Sequence, residues 1–273
     1  MAINLSSLKR VQATDPPRVI IYGPPGIGKT SLAAEWPEPV FLQVEDGTPA
    51  GLTLNSFGKL NSFGEVREAM QALATEKHGF KTVVLDSLTR LETMVFAEAC
   101  ARQSPAWKTI EQPGYGKGYV EADYVWEDLL EGFNYLRGLG MNIVWIAHAE
   151  VTRFDDPTAA SYSKYQIDLH KRGQALFDRE SDAIFLIKQD ALIDVEKQGF
   201  NKERTVGKGN DLRWIYCQGR PAFTAKNRYR MPEKVMFTPG NGYAQLAPFF
   251  PAPAPHTQEQ ILQQAGAPAD AAA

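Results

Sequence analysis

The sequence predicts an α/β fold in which a mostly parallel β-sheet is covered by helices on both faces, with an antiparallel extension at one edge. Short, nearly continuous apolar segments alternate along the chain with segments of helical periodicity. Such apolar strands are typical of a parallel sheet whose two faces are both covered by crossover helices. After Lys188 the pattern changes to shorter alternating segments, which are typical of antiparallel strands. The third observation is a glycine-rich motif between the first apolar segment and the first helical one.

Each element follows from a local pattern. Apolar segments predict five strands, at residues 18–22, 39–44, 81–86, 142–147 and 182–187. Helical periodicity predicts five helices, at residues 31–35, 63–77, 88–102, 121–139 and 169–179. Helix-breaking residues close three of these helices, at Pro37, Gly79 and Gly140. Antiparallel strands are expected at residues 192–197 and 212–218.

One domain, residues 18–247, accounts for most of the chain. Residues 1–17 form a short N-terminal arm that ends in two prolines. Residues 248–273 are rich in Pro and Ala, a composition that buries too little apolar surface to fold by itself. We therefore expect a disordered tail, with one or two helical turns near residues 258–264. The alternative is a tail that binds a partner.

Composition and charge exclude several classes of protein. The 273 residues are 44% hydrophobic and 22% charged, as in ordinary globular proteins. The net charge of −3 argues against a protein that coats nucleic acid through bulk charge, although a local basic groove is compatible with it. Cys100 and Cys217 are far apart, which favours buried thiols over a disulfide or a zinc site. Without a membrane-length apolar run or a signal-peptide core, we expect a cytoplasmic protein.

Residues 23–30 read Gly-Pro-Pro-Gly-Ile-Gly-Lys-Thr, a complete G-x-x-x-x-G-K-[ST] phosphate-binding loop. The motif stands between a predicted strand and a predicted helix, which is the context that it requires. Loop amides and the helix N-terminus would surround the phosphates, and Lys29 would reach the β- and γ-phosphates. A glycine-rich turn that binds nothing is the alternative. The predicted nucleotide contacts in this segment are Gly23, Pro24, Pro25, Gly26, Ile27, Gly28, Lys29, Thr30 and Ser31.

Two acidic residues at strand ends are candidates for metal binding and catalysis. Asp86 ends the third predicted strand, where a carboxylate holds Mg²⁺ together with the hydroxyl of Thr30. Glu45 follows the second strand and is the favoured group to activate the attacking water. Glu92 competes for that role, but it lies inside the helix after Asp86, further from the strand ends. Ser87, directly after the aspartate, is not a base.

Later polar residues are candidates for sensing or completing the site. His148 follows the fourth strand, where its side chain could contact the γ-phosphate and act in catalysis; a histidine packed at a strand end is the alternative. Lys226 and Arg228 face the same side of an extended segment, and two cations there suit a γ-phosphate of a neighbouring subunit. A solvated run of charges is an equally good interpretation of this pair.

Two segments combine aromatic and basic side chains, which suits single-stranded nucleic acid because bases stack on rings and cations meet phosphates. Residues 104–118 contain Trp107, Lys108, Tyr115 and Lys117. Residues 150–172 contain Arg153, Phe154, Tyr162, Lys164, Tyr165, Lys171 and Arg172. Both segments also carry acids, namely Glu111, Asp155, Asp156 and Asp168, so ordinary surface loops are the alternative.

Together these motifs resemble the RecA/Rad51-like ATPases, and most closely the phage-encoded nucleotide-binding proteins that include the Sak4-type single-strand annealing proteins. The resemblance covers about residues 18–232 and rests on the motifs at residues 23–30, 42–47, 83–87, 146–148 and 225–228. It implies a RecA-like P-loop core with ATP and Mg²⁺ as cofactors. It also implies Glu45 as the catalytic glutamate, His148 as the polar residue before the second DNA loop, and Lys226 with Arg228 as groups acting on an adjacent subunit.

The resemblance implies an ATPase that acts on single-stranded DNA in phage recombination, annealing or repair, in the host cytoplasm. The implied partners are single-stranded DNA, further copies of the chain with ATP between them, and a single-strand-binding protein; a membrane is not among them. The first rival is an AAA+-type loader or remodelling ATPase, which would need a helical lid after the core. A small-molecule kinase would need an arginine-rich lid. A nucleotide-gated binding module with little turnover is the third.

Overall fold

A computed structural model describes residues 15–158, 160–197 and 203–251. The predicted arm, residues 1–17, and the predicted tail, residues 248–273, therefore lie mostly outside the described residues. The helices are α1 Lys29–Ala34, α2 Phe63–Thr75, α3 Leu88–Ala101, α4 Lys117–Gly138, α5 Lys171–Glu180 and α6 Gly242–Leu246, with a 3₁₀ turn at Ala247–Phe249. The strands are β1 Arg18–Gly23, β2 Pro39–Gln43, β3 Asn55–Lys59, β4 Thr82–Asp86, β5 Asn142–Phe154, β6 Tyr162–Ile167, β7 Ala183–Lys197, β8 Glu203–Tyr216, β9 Lys226–Asn227 and β10 Lys234–Phe237.

The sheet is mostly parallel, as predicted. Its strand order is β10-β8-β7-β1-β5-β4-β2-β3, with β6 attached to β5 and β9 to β7. All pairings from β7 through β1, β5, β4 and β2 to β3 are parallel. β8 pairs with β7 and β10 pairs with β8, both in antiparallel orientation, which confirms the antiparallel extension on the C-terminal side.

Helices cover both faces of the sheet, and each face has its own core. One core lies under α2, α3, α4 and α5 and includes Trp126, Phe133, Trp145 and Phe177. The other lies under α1 and the C-terminal segment and includes Trp36, Phe41 and Phe185. The central strands contribute side chains to both cores alternately, because successive residues point to opposite faces. Fully buried apolar strands of this kind explain why the pattern of the sequence identified them.

Several parts of the chain differ from the prediction: the predicted strands 182–187 and 192–197 are one strand, β7, and β9, β10 and α6 were not predicted. β3 was not predicted, because it is an edge strand with all five residues exposed and therefore lacks an apolar pattern. Residues 150–172 are not a loop for most of their length: β5 continues to Phe154 and forms an antiparallel hairpin with β6. α4 begins at Lys117, earlier than the predicted residue 121, after the αL residue Gly116.

Cys100 and Cys217 are free and buried, as predicted. Burial raises the pKa of the Cys217 thiol to about 12, so it remains protonated at neutral pH. Among the described residues, no helix combines the length and apolar character needed to span a bilayer.

Candidate nucleotide-binding site

The phosphate-binding loop connects the carboxyl end of β1 to the first residue of α1. β1 ends at Gly23 and α1 starts at Lys29, so Lys29 and Thr30 occupy the first turn of that helix. Gly26 and Gly28 have φ values of 72° and 108°, which favour glycine. With these two residues the loop makes a tight turn that leaves its amides and the helix N-terminus available to an anion.

Lys29 is buried against its own loop. Its ammonium donates to the carbonyl oxygens of Gly23 and Pro24, each at 3.0 Å. Burial lowers the pKa of Lys29, while the nearby carboxylates of Asp86 and Glu45 oppose that shift. The side chain is thus held in place at the mouth of the loop, ready to exchange carbonyl oxygens for phosphate oxygens.

Thr30 and Asp86, the two candidate metal ligands, are in direct contact. The Thr30 hydroxyl donates to Asp86 Oδ2 at 2.9 Å, although the two residues are 56 positions apart. Asp86 ends β4 and is buried, and burial raises the pKa of its carboxyl group against the effect of the Thr30 bond. A cation beside a buried carboxylate would reverse that shift, so the pair fits Mg²⁺.

The donor set also matches the way in which proteins hold Mg²⁺. This ion takes one or two protein oxygen ligands and fills its other positions with water and phosphate. Among the described residues no cluster of three or more His, Cys, Asp or Glu side chains could hold a metal. Thr30 and Asp86 would therefore hold the ion only together with a bound nucleotide.

Glu45 and His148 form a second pair at the same edge of the sheet. His148 Nε2 lies 3.2 Å from Glu45 Oε1, and both side chains are about 30% exposed, at 30% and 28%. The bond from His148 is the main cause that lowers the pKa of Glu45; burial opposes it and a bond from Ser87 supports it. An ionised carboxylate that is partly open to solvent has the right form to take a proton from water.

An open cleft of about 290 Å³ adjoins Glu45. It is lined by the last residue of β2, four residues that follow β2 and the last residue of β3: Gln43, Glu45, Asp46, Gly47, Thr48 and Lys59. Asp46 forms an exposed ion pair with Lys59 across this cleft, so the two adjacent acids have different surroundings. Only Glu45 is directed to His148 and the phosphate side.

Glu92, the competing acid, is engaged elsewhere. Its Oε1 accepts a hydrogen bond from the backbone N–H of His170 at 2.8 Å, at the start of α5. Burial, with smaller contributions from Asp168 and Glu150, raises its pKa to about 7. This carboxylate joins α3 to the segment that follows the β5–β6 hairpin.

Lys226 and Arg228 lie at the opposite end of the sheet. Lys226 donates to the carbonyl oxygen of Asp178 at 2.5 Å and caps the end of α5, while Arg228 pairs with Asp182 at 2.9 Å. Through β7, Lys226 lies level with Ile20 of β1, three residues or roughly 10 Å before Gly23 of the loop, and Arg228 lies further from the loop. They do not join the site of their own chain, and a role in a neighbouring subunit stays a prediction.

The structure adds residues that sequence analysis missed. The Thr89 hydroxyl accepts from the backbone N–H of His148 at 3.0 Å and joins the middle of β5 to α3. Arg213 of β8 donates to the carbonyl oxygen of Ile27 inside the phosphate loop at 3.1 Å. Thr89 could have been suspected from its place three residues after Asp86. Arg213 could not, because only the pairing of β8 with β7 brings it to the loop.

With this geometry in place, comparison with known proteins decides the family. A sequence-family profile described as an AAA domain matches residues 15–229. The chain belongs to this AAA-domain family. The match covers the phosphate loop and all the strand-end residues of the site, so the chain is a P-loop protein of the nucleotide-binding ATPase class. No curated protein matches the sequence.

Solved structures resemble this AAA-domain protein only distantly. The flagellar accessory protein FlaH from Methanocaldococcus jannaschii is 9% identical, with 82% of this chain and 85% of that chain covered and a TM-score of 0.38. A KaiC-like protein from Pyrococcus horikoshii is 12% identical, with 84% and 99% covered and a TM-score of 0.33. Neither likeness carries information about substrate or partner.

Proposed function

We propose that this AAA-domain protein is a Mg²⁺-dependent ATPase that acts on single-stranded DNA in phage recombination, annealing or repair. The observation that carries the proposal is the contact between Glu45 and His148. Glu45 lies beside the phosphate loop, and His148 lies in β5, the strand that continues into the β5–β6 hairpin. ATP hydrolysis beside His148 and DNA binding at the hairpin would thus be connected through β5.

The chain's own residues account for the hydrolytic step. Lys29 and the loop amides would hold the β- and γ-phosphates, while Thr30 and Asp86 would hold the Mg²⁺ ion beside them. Glu45 takes a proton from a water molecule as the water oxygen bonds to the γ-phosphorus. The bond from that phosphorus to the β–γ bridging oxygen breaks, and ADP leaves with the electron pair. A bound Mg²⁺ would neutralise charge that develops on the phosphate oxygens.

His148 is placed to link this chemistry to the hairpin. While Nε2 contacts Glu45, the backbone N–H of the same residue bonds to Thr89, and its carbonyl oxygen accepts from Asp168 after β6. A γ-phosphate that competes for the imidazole would disturb these three contacts together. The hairpin lies directly beyond His148 and would respond first.

The two segments that suit single-stranded DNA adjoin each other. Tyr119, just after the first segment, stacks on His170 in the second, with ring centroids 4.1 Å apart and planes 9° apart. Arg172 also pairs with Asp123 across this contact. The starts of α4 and α5 are therefore in contact, and the proposal takes the two segments as one surface. Its exposed rings and cations include Lys108, Tyr115, Lys117, Arg153, Phe154, Lys171 and Arg172.

The proposal extends to assembly. Arg228 is 53% exposed, so it could reach a nucleotide bound by an adjacent copy, with Lys226 beside it. ATP would then lie between subunits. A single-strand-binding protein is a further candidate partner, and the host cytoplasm is the expected place of action.

The test is ATP hydrolysis with and without single-stranded DNA by the wild type, Lys29→Ala and Lys81→Ala. Lys81 is exposed and remote from the loop, so Lys81→Ala is the matched control. The proposal expects stimulation by DNA that is lost in Lys29→Ala and kept in Lys81→Ala. Hydrolysis that ignores DNA would overturn the DNA role and favour the second candidate, a loader or remodelling ATPase, which the AAA-domain match supports. Binding without hydrolysis would indicate a nucleotide-gated module.

A further inference from the structure

The antiparallel extension contacts the back of the phosphate loop at two points. Arg213 on β8 and Phe237 on β10 are register partners, and both meet Gly28. A Cβ atom on Gly28 would lie 2.8 Å from the Phe237 ring and 3.3 Å from Arg213 Nη1. This contact leaves no room for a side chain on the last glycine of the loop.

Arg213 also bonds to the loop itself. Its Nη1 donates to the carbonyl oxygen of Ile27 at 3.1 Å. Ile27 is 7% exposed and Arg213 is half-buried, so this bond is partly shielded from water. Bonds that involve a charged donor are stronger than neutral ones, and shielding increases the difference.

The direction of this bond determines the direction of a neighbouring amide. The carbonyl of Ile27 and the N–H of Gly28 belong to one planar, trans peptide unit, so they point in opposite directions. When Arg213 holds the carbonyl outward, the N–H of Gly28 points into the loop. That N–H is a donor of the kind on which phosphate binding by such loops depends.

We propose that Arg213 is a positioning residue for nucleotide phosphate binding, which it promotes by fixing the Ile27–Gly28 peptide unit from behind the loop. This inference rests on the proposed nucleotide-binding function and adds a residue from outside the motif. Arg213 touches the loop and not the reacting atoms. Arg213 should change the affinity for nucleoside di- and triphosphates, and this effect should not depend on DNA.

The test compares three variants for binding of ADP and inorganic pyrophosphate. Arg213→Met removes the charge and the donor but keeps an unbranched apolar stem. Arg213→Lys keeps the charge, but its shorter reach cannot make the same bond to Ile27. Arg220→Met is the matched control, because Arg220 lies in the segment between β8 and β10 and pairs with Glu233 at the surface.

Arg213→Met should weaken the binding of both ligands by about tenfold, in keeping with the loss of one charge-assisted bond. Arg213→Lys should weaken their binding by at least about threefold, and Arg220→Met by less than about twofold. Melting temperatures of the free proteins show whether each variant is folded. If Arg213→Met does not fold, Arg213→Lys decides. Wild-type affinity in a folded Arg213 variant would overturn the inference, as would a loss for ADP that pyrophosphate does not share. Should the wild type bind neither ligand, the proposed function itself fails.

Discussion

His148 Nε2 lies 3.2 Å from Glu45 Oε1, although 103 positions separate the two residues in the chain. The contact exists because β2 and β5 are both parallel to β4, which lies between them. The carboxyl ends of parallel strands meet at one edge, so residues that follow them become neighbours. The pair thereby connects Glu45, the proposed water-activating group, with the strand that leads into the hairpin.

Glu45→Gln should reduce ATP hydrolysis by about 10² to 10⁴ while ATP binding is kept, because the amide cannot accept the proton of the attacking water. The measurements are kcat and the ATP dissociation constant. Asp46→Asn is the matched control, since Asp46 is the adjacent acid but pairs with Lys59. A hydrolysis rate in Glu45→Gln equal to that of the wild type would mean that another group activates the water.

His148→Ala should move the acidic limb of the pH–rate profile to higher pH. The bond from His148 is the main cause that lowers the pKa of Glu45, so its removal raises that pKa. Glu45 must be ionised to act, and activity is therefore lost at a higher pH than in the wild type. His148→Gln keeps a donor of similar reach and should retain most of the wild-type profile. Coincident profiles for His148→Ala and the wild type would contradict the assignment.

Gly28→Ala should destabilise the protein more than Gly26→Ala, by roughly 1–3 kcal/mol. Both positions have positive φ, which costs alanine about 1–2 kcal/mol in either case. Only at Gly28 would the new methyl group press on the Phe237 ring; at Gly26 no described atom lies within 4 Å. Urea unfolding of the two ligand-free variants measures the difference. Equal losses of unfolding free energy in the two variants would show that the Phe237 ring moves aside without cost.

Glu92→Gln should gain stability over the wild type as pH rises from about 5 to 8. The pKa of Glu92 is raised to about 7 in the folded protein from 4.5. A raised pKa means that the unfolded chain releases its proton first, so the wild type loses stability as pH rises through this window. The gain should be on the order of 1–3 kcal/mol. Unfolding free energies at several pH values measure it, with Glu127→Gln on the exposed side of α4 as control. A stability difference between Glu92→Gln and the wild type that does not change with pH would contradict the raised pKa of Glu92.

Sequence analysis located the centre of the site because each residue there obeys a simple rule. Thr30 belongs to a complete motif, Asp86 ends a predicted apolar strand, and Glu45 and His148 each follow one. Parallel strands then bring these positions to one edge. The same rule explains why the sequence could assign the phosphate loop, Thr30 and Asp86 to one edge of the sheet without a structure.

The features that the sequence did not predict depend on pairings between strands, and these pairings leave no pattern in the local sequence. β3 is exposed along its whole length, so it offered no apolar run. The hairpin was taken for a loop because its aromatic and charged residues suggested a surface segment, whereas backbone bonds to β6 order it. Arg213 reaches the loop through the register of β8 on β7. A register between distant strands is set by packing and cannot be read from either strand alone.

Glu35 stands at the end of α1 and accepts from the backbone N–H groups of Gly240 and Tyr243, at 2.7 and 2.8 Å. A helix of six residues is too short to bend, so its two ends move together. A protease cut in the exposed turn around Gly240 would therefore change the position of Lys29, at the other end of the same helix. Conversely, a nucleotide that holds α1 in place should protect that turn from proteolysis.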